Sequence, residues 1–124
     1  LNDENYSQAK ITIEQGLELD PNSKPLNNNW DVVMLQWGQQ TYNRGDFKSA
    51  IQILVDGREK SKKDRQTFNQ LIEAYYNETA FQLLDAKKFE ASIIRFEEGL
   101  KLLPNSTTLK HNLEVAQSES RSKK

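Results

Sequence analysis

The chain is expected to be all-α, with about six helices set out as antiparallel pairs in a repeat array. Three observations predict this. Apolar residues recur in steps of three and four along nearly the whole length, which is the period of one helix face. Clusters of Pro, Gly, Asn, Asp and Ser cut that pattern into helix-sized segments. Finally, three stretches repeat in register: Tyr6-x-x-Ala9 with Gly16, Phe47-x-x-Ala50 with Gly57, and Phe89-x-x-Ser92 with Gly99, spaced 41 and then 42 residues apart. A glycine inside a helix costs about 1 kcal/mol relative to alanine. Three of them at one register ask for a common cause, and close approach of one helix backbone to its neighbour supplies it.

Taken in order, residues 5–20 carry Tyr6, Ala9, Ile13, Leu17 and Leu19 at helical spacing, and Asp20-Pro21-Asn22-Ser23 closes them. A longer helix is expected from about Pro25 to Asn43, on Leu26, Trp30, Val33, Met34 and Trp37, before the turn Asn43-Arg44-Gly45-Asp46. Phe47, Ala50, Ile51, Leu54 and Val55 mark a third, which gives way near Ser61-Lys62-Lys63-Asp64. Phe68, Leu71, Ile72, Tyr75, Tyr76, Ala80 and Leu83 mark a fourth over residues 65–86. Phe89, Ile93, Phe96, Leu100 and Leu103 mark a fifth, ended by Pro104-Asn105-Ser106 as the first is ended by Pro21-Asn22-Ser23. Leu109, Leu113 and Ala116 begin a sixth, whose polar outer face suits a terminal capping helix. The expected organisation is a single domain over 1–124: a half repeat at 5–23, repeats at 25–61 and 65–104, a capping helix at 106–118 and a polar tail at 119–124.

Composition narrows the function. A length of 124 residues is about one domain's worth. The balance of 28% charged to 35% hydrophobic residues belongs to a folded, well-solvated helical protein rather than a disordered one. A net charge of −1 provides no overall field toward nucleic acid or an anionic membrane. No cysteine is present, so disulfides, thiolate catalysis and cysteine zinc sites are excluded together. No apolar run approaches the roughly 20 residues needed to cross a bilayer and no signal peptide is visible, so a soluble chain without membrane insertion is expected, its compartment left open. The opening Leu1 reads as the start of a piece cut from something longer, or of a processed chain.

The middle unit, with Met34-x-x-Trp37-Gly38 and then Gly45-Asp46-Phe47-x-x-Ala50-x-x-x-Leu54, resembles the tetratricopeptide repeat. The first unit adds Tyr6-x-x-Ala9-x-x-x-Ile13-x-x-Gly16 running into Leu19-Asp20-Pro21-Asn22, and the third adds Tyr76, Ala80, Phe89, Ser92, Phe96, Gly99 and Pro104. The resemblance covers nearly the whole chain and implies a right-handed superhelical solenoid. The period of 41–42 residues departs from the family's usual 34, which implies about two extra helical turns in the first helix of each pair. The chain also opens at the turn before a second helix, so at least one further repeat upstream in a parent protein is expected. In this family the first helix of each pair lines a concave groove. The resemblance places Leu35, Gln39, Tyr42 and Asn43, then Asn77, Phe81 and Asp85, then His111 and Val115, in that groove. Amides that pair with backbone groups and rings that take side chains suit a peptide. Some members grip a C-terminal carboxylate with Lys, Arg and Asn; here those places hold Leu35, Gln39, Glu78, Thr108 and Asn112, which argues against that mode.

Chemistry is sparse. His111 is the only histidine, so a triad or a multi-histidine metal centre cannot be assembled within one chain, and it reads first as a surface residue. Pairs such as Glu97-Glu98 and Glu14 with Glu18 read as solvated helix faces. The five glycines are scattered, with no phosphate-binding loop among them. The chain is therefore expected to be no enzyme, with no cofactor and no metal. Trp30, Trp37, Tyr75, Tyr76, Phe47, Phe89 and Phe96 recur at apolar positions and read as core, whereas Tyr42 and Phe81 sit off the main apolar stripe. The cluster Arg58, Lys60, Lys62, Lys63 and Arg65 reads first as a solvated turn and second as an edge for an anion or acidic partner. The leading expectation is a non-catalytic scaffold for protein–protein interaction. The alternative is a structural module that self-associates as a homo-oligomer or packs on the rest of a larger parent.

Overall fold

The computed structural model describes residues 2–122. They form six α-helices: α1 (Asp3–Leu19), α2 (Lys24–Asn43), α3 (Phe47–Lys60), α4 (Arg65–Asp85), α5 (Phe89–Leu102) and α6 (Thr107–Ser122), with no strand among the described residues. Loops of three or four residues join successive helices. The helices form two compact units, the first ending at Phe68 and the second starting at Asn69. Helix α6 runs to Ser122, past the expected end at 118, so most of the expected polar tail is helical; Lys123 and Lys124, like Leu1, lie outside the described residues.

Local chemistry sets the helix starts. Asn2 Oδ1 accepts the Asn5 amide at 2.9 Å, and Asp3 and Glu4 follow in the first turn, where carboxylates complement the helix dipole. This starts α1 two residues ahead of its apolar pattern. Ser23 Oγ caps α2 through the Leu26 amide, with Pro25 in the first turn, and Asp46 caps α3 through the Ser49 amide. Ser106 Oγ caps α6 through the Leu109 amide at 3.1 Å.

In the first unit α1 packs on α2 and α2 on α3. Trp30, Met34, Ala50, Leu54 and Phe68 are almost wholly buried, with Tyr6, Ile13 and Ile51 nearly so. Burying a Leu, Met or Phe side chain contributes about 1.5–3 kcal/mol. Trp30 Nε1 donates to the Gly57 carbonyl at 2.9 Å, so the indole enters the core with its one polar atom satisfied. In the second unit α5 packs on α6, and Ile72, Tyr76, Ala80, Leu84, Phe96, Leu109 and Ala116 are buried. Ser92 fills the place held by Ala9 and Ala50 in the other copies. It is fully buried, and its hydroxyl donates to the Ala80 carbonyl at 2.9 Å.

The recurring glycines sit where helices touch. A Cβ on Gly16 would come within 2.7 Å of Leu26 Cδ1, and one on Gly99 within 2.9 Å of Tyr76 Cγ and 3.1 Å of Leu109 Cδ1. On Gly57 it would collide with the Phe68 ring and lie 2.9 Å from Met34 Cβ. Gly57 thus meets α2 and α4, and Gly99 meets α4 and α6. The carbonyls of Gly16, Gly57 and Gly99 each also accept the amide that caps their helix, from Asp20, Ser61 and Leu103. Gly57→Ala is expected to destabilise by about 1–2 kcal/mol, because overpacking against a buried ring and a Cβ outweighs the helix-propensity gain of about 1 kcal/mol. Gly16→Ala meets only the tip of a half-buried leucine and should be neutral or stabilising. Urea melts of the two variants check this contrast.

The turn after α2 reaches a left-handed backbone at Gly45, with φ +92°, and the turn after α4 does the same at Lys87, with φ +62°. These residues stand 42 apart, so the turn geometry repeats even where the glycine does not.

Candidate functional site

Two faces and one junction hold the residues singled out from the sequence. On α2, Leu35 and Tyr42 are half-buried while Gln39 and Asn43 are exposed. Steps of four and three place Leu35, Gln39 and Tyr42 on one helix face. In the second unit, Asp85 on α4 and His111 on α6 are exposed. Asn77 on α4 is half-buried, and its Oδ1 accepts from Asn112 Nδ2 of α6 at 2.9 Å. Phe81 is half-buried and packs edge-on against Phe96, with ring centroids 5.5 Å apart at 81°. The sequence sets Phe81 off the apolar stripe, yet its ring works as packing between α4 and α5, because Phe96 is large enough to reach past the stripe. Asn77 and Phe81 are therefore committed in part to their own unit.

The basic cluster is a junction rather than a bare patch. Lys60 pairs with Glu14 of α1, with its Nζ 5.2 Å from the Trp30 ring centroid. Lys62 Nζ donates to the Pro21 carbonyl at 2.7 Å and to Asn22 Oδ1 at 3.2 Å, closing the loop after α1. Lys60, Lys62, Lys63 and Arg65 are exposed, and Arg58 is half-buried. Lys60 thus ties the end of α3 to α1, and Lys62 ties the turn after α3 to the loop after α1.

Asp31 and Thr41 were not singled out from the sequence. Both are buried on α2, at 4% and 1% exposure, and Asp31 Oδ1 and Thr41 Oγ1 have no hydrogen-bond partner among the described residues. The signal was there: 31, 34, 38 and 41 step by three and four on the face of Met34 and Gly38. Burial pushes the Asp31 carboxyl above its ordinary value; the Ser61 hydroxyl opposes this, Asp64 adds to it and Lys63 opposes it. A carboxyl raised by folding contributes stability that is fully present below the unfolded value of 3.8 and is lost as pH rises through the raised folded value.

Thr41 borders a cleft of about 320 Å³ with Trp37, Arg44, Asp46, Ile53 and Asp56. At its edge Asp3 accepts both nitrogens of the Arg44 fork, at 3.0 and 2.9 Å, and the Trp37 indole N–H at 3.0 Å. These bonds, Arg44 first, hold the Asp3 carboxyl below its ordinary value. Their stabilisation is present above 3.8 and fades as pH falls through the lowered value. Trp37 is stacked on Tyr6, with centroids 6.0 Å apart and 11° between the rings.

Among the described residues no group of three or more His, Asp or Glu side chains is placed to hold a metal ion, and no helix is long and apolar enough to cross a membrane. No family model matches the chain, and it matches no curated protein and no solved structure.

Proposed function

We propose that the chain is a non-catalytic protein-interaction module: a tetratricopeptide-like array whose helix pairs follow a right-handed superhelical course and whose first helices present a groove to a peptide or protein partner. The observation that carries this reading is the glycine register. At Gly16, Gly57 and Gly99, 41 and 42 residues apart, a side chain of a neighbouring helix packs onto the bare backbone, which is how a repeat protein builds one interface over and over. Such stacking leaves the outer faces of the first helices open. Gln39 and Asn43 on α2, and Asp85 and His111 across the second unit, are exposed polar residues on those helices. A hydrogen-bonding face of this kind suits an extended or helical peptide better than a small substrate.

The test is a pull-down from source-cell extract with the chain beside a variant carrying Gln39→Ala, Asn43→Ala, Asp85→Ala and His111→Ala. Exposed positions are chosen so that the fold is kept, as circular dichroism would verify. A protein retained by the first and bound about tenfold or more weakly by the second names the partner and supports the groove, since a few residues carry most of an interface's energy. A partner held equally by both removes it.

A second reading, self-association or packing on a parent protein, is favoured by the first helix. Ile11 is 44% and Leu19 91% exposed, the former beside an open cleft lined also by Leu17, Gln15 and Glu18. Sedimentation giving only monomer over a wide concentration range would remove the self-association half of that reading.

A further inference from the structure

The three glycine-bearing helices are not covered alike. Gly57 of α3 lies between Met34 of α2 and Phe68 of α4, and Gly99 of α5 between Tyr76 of α4 and Leu109 of α6. At Gly16 of α1 the nearest atoms all belong to Leu26 of α2, the counterpart of Phe68 and Leu109, and a counterpart of Met34 and Tyr76 is missing among the described residues. Exposure follows the same division. Gly57, Gly99, Ala50 and Ser92 are buried, whereas Gly16 and Ala9, at the same two register positions, are half-buried. At the end of this strip Leu19 is 91% exposed, while its counterpart Lys60 rests on the Trp30 ring of α2. One side of α1 is thus an unfinished copy of an interface that the chain completes elsewhere.

The finished copies state what fits. Helix α2 runs antiparallel to α3, with Trp30 donating to the Gly57 carbonyl, Met34 at Gly57 and Gly38 against Leu54. Helix α4 repeats the order with Ile72, Tyr76 at Gly99, and Ala80, whose carbonyl accepts from Ser92. Each presents a large apolar residue, a second one four residues on, and Gly or Ala four after that. A second copy has no such face to spare: Met34 and Tyr76 are already seated, and α6, counted from Leu109, holds Gln117 and Arg121 in place of Met34 and Gly38. Charge narrows the occupant further. Arg44 and Lys60 answer Asp3 and Glu14, but the exposed Glu4, Glu18 and Asp20 outnumber Lys10 along α1. We propose that this side of α1 is the docking seat for one amphipathic helix of a partner protein, antiparallel to α1, with the apolar, apolar, small spacing of Trp30, Met34 and Gly38 and with basic residues toward its ends. It deepens the packing reading of α1 and rests on it, while the groove, on other helices, stands or falls separately.

The experiment titrates the isotope-labelled chain with an unlabelled peptide copying residues 24–43 with Asn28→Lys and Asn43→Lys, followed by backbone amide chemical shifts. Saturable shifts at Ala9, Gly16 and Leu19 are expected, and none from the same peptide with Met34→Asp. At low salt the lysine peptide should bind more tightly than the unaltered one; equal affinity removes the basic requirement. In the chain, Ala9→Arg fills the seat and should weaken binding about tenfold or more. Leu19→Ser, at a position too exposed to matter to the fold, should weaken it about fivefold, the loss of a leucine contact made only on docking. The proposal is overturned if no shift saturates, or if Leu19→Ser binds like the parent. Shifts centred on Ala50 and Gly57 would mean that the peptide has replaced α2, and also overturn it. Sedimentation showing a dimer that Ala9→Arg abolishes would assign the seat to a second copy instead, leaving the packing reading standing without the proposal. Should circular dichroism show Ala9→Arg unfolded, Leu19→Ser decides.

Discussion

Trp30→Ala is expected to destabilise the chain by about 3–5 kcal/mol, a large share of the 5–15 kcal/mol by which domains are stable. The indole is 1% exposed, between α2 and α3, with Lys60 over its face. Alanine removes the ring and leaves a cavity that Met34, Leu54 and Phe68, themselves fully buried, cannot collapse to fill. The lost hydrogen bond is the smaller part, since Gly57 O keeps the Ser61 amide as a donor. Trp30→Phe, which retains most of the volume, should accordingly cost about 1–2 kcal/mol. Urea denaturation followed by the remaining tryptophan, Trp37, measures both. Equal losses for the two variants would assign the effect to the hydrogen bond instead of the packing.

Phe96→Ala is expected to cost about 3–5 kcal/mol in the second unit. Phe96 is fully buried, and its ring meets that of Phe81 in a T-shaped contact. Truncation leaves a void and strips the half-buried Phe81 of its partner, which adds to the transfer term. Ile94 is the control: it lies two residues away on the same helix but is 54% exposed, and Ile94→Ala should stay within about 0.5 kcal/mol. Comparable losses at 94 and 96 would mean that α5 is buried on a different face from the one described.

Both large effects fall on residues that the sequence marks as core, and the reason is periodicity. Trp30, Met34, Phe68, Ile72 and Phe96 lie on apolar stripes with helical spacing, so a helix that buries one must bury the others. The turns were legible for an equally local reason. Asp46 and Ser106 are caps, Gly45 takes a positive φ, and Pro21 and Pro104 cannot continue a helix. Phe81 was less legible: whether a ring just off the stripe is free or packed depends on the size of a residue 15 positions away, Phe96. Lys62 was not legible at all, because its acceptor, the Pro21 carbonyl, lies 41 residues earlier. Lys87 shows the converse, a left-handed turn imposed by repeat geometry on a residue that does not favour it.

By itself the sequence determined the all-α class, the six helices and the place of each turn, because periodicity, caps and breakers act within a few residues of chain. It also determined that Gly16, Gly57 and Gly99 share one cause, since only close approach repays a glycine in mid-helix. The tertiary structure alone decided what those glycines touch, that Lys62 holds the loop after α1, and that Asp31 keeps one buried oxygen without a partner where Glu73 has a serine. These depend on groups brought together from positions 10 to 41 residues apart on different helices and turns, and the reach of one methylene, which no local pattern encodes, determines whether a buried polar atom finds its partner.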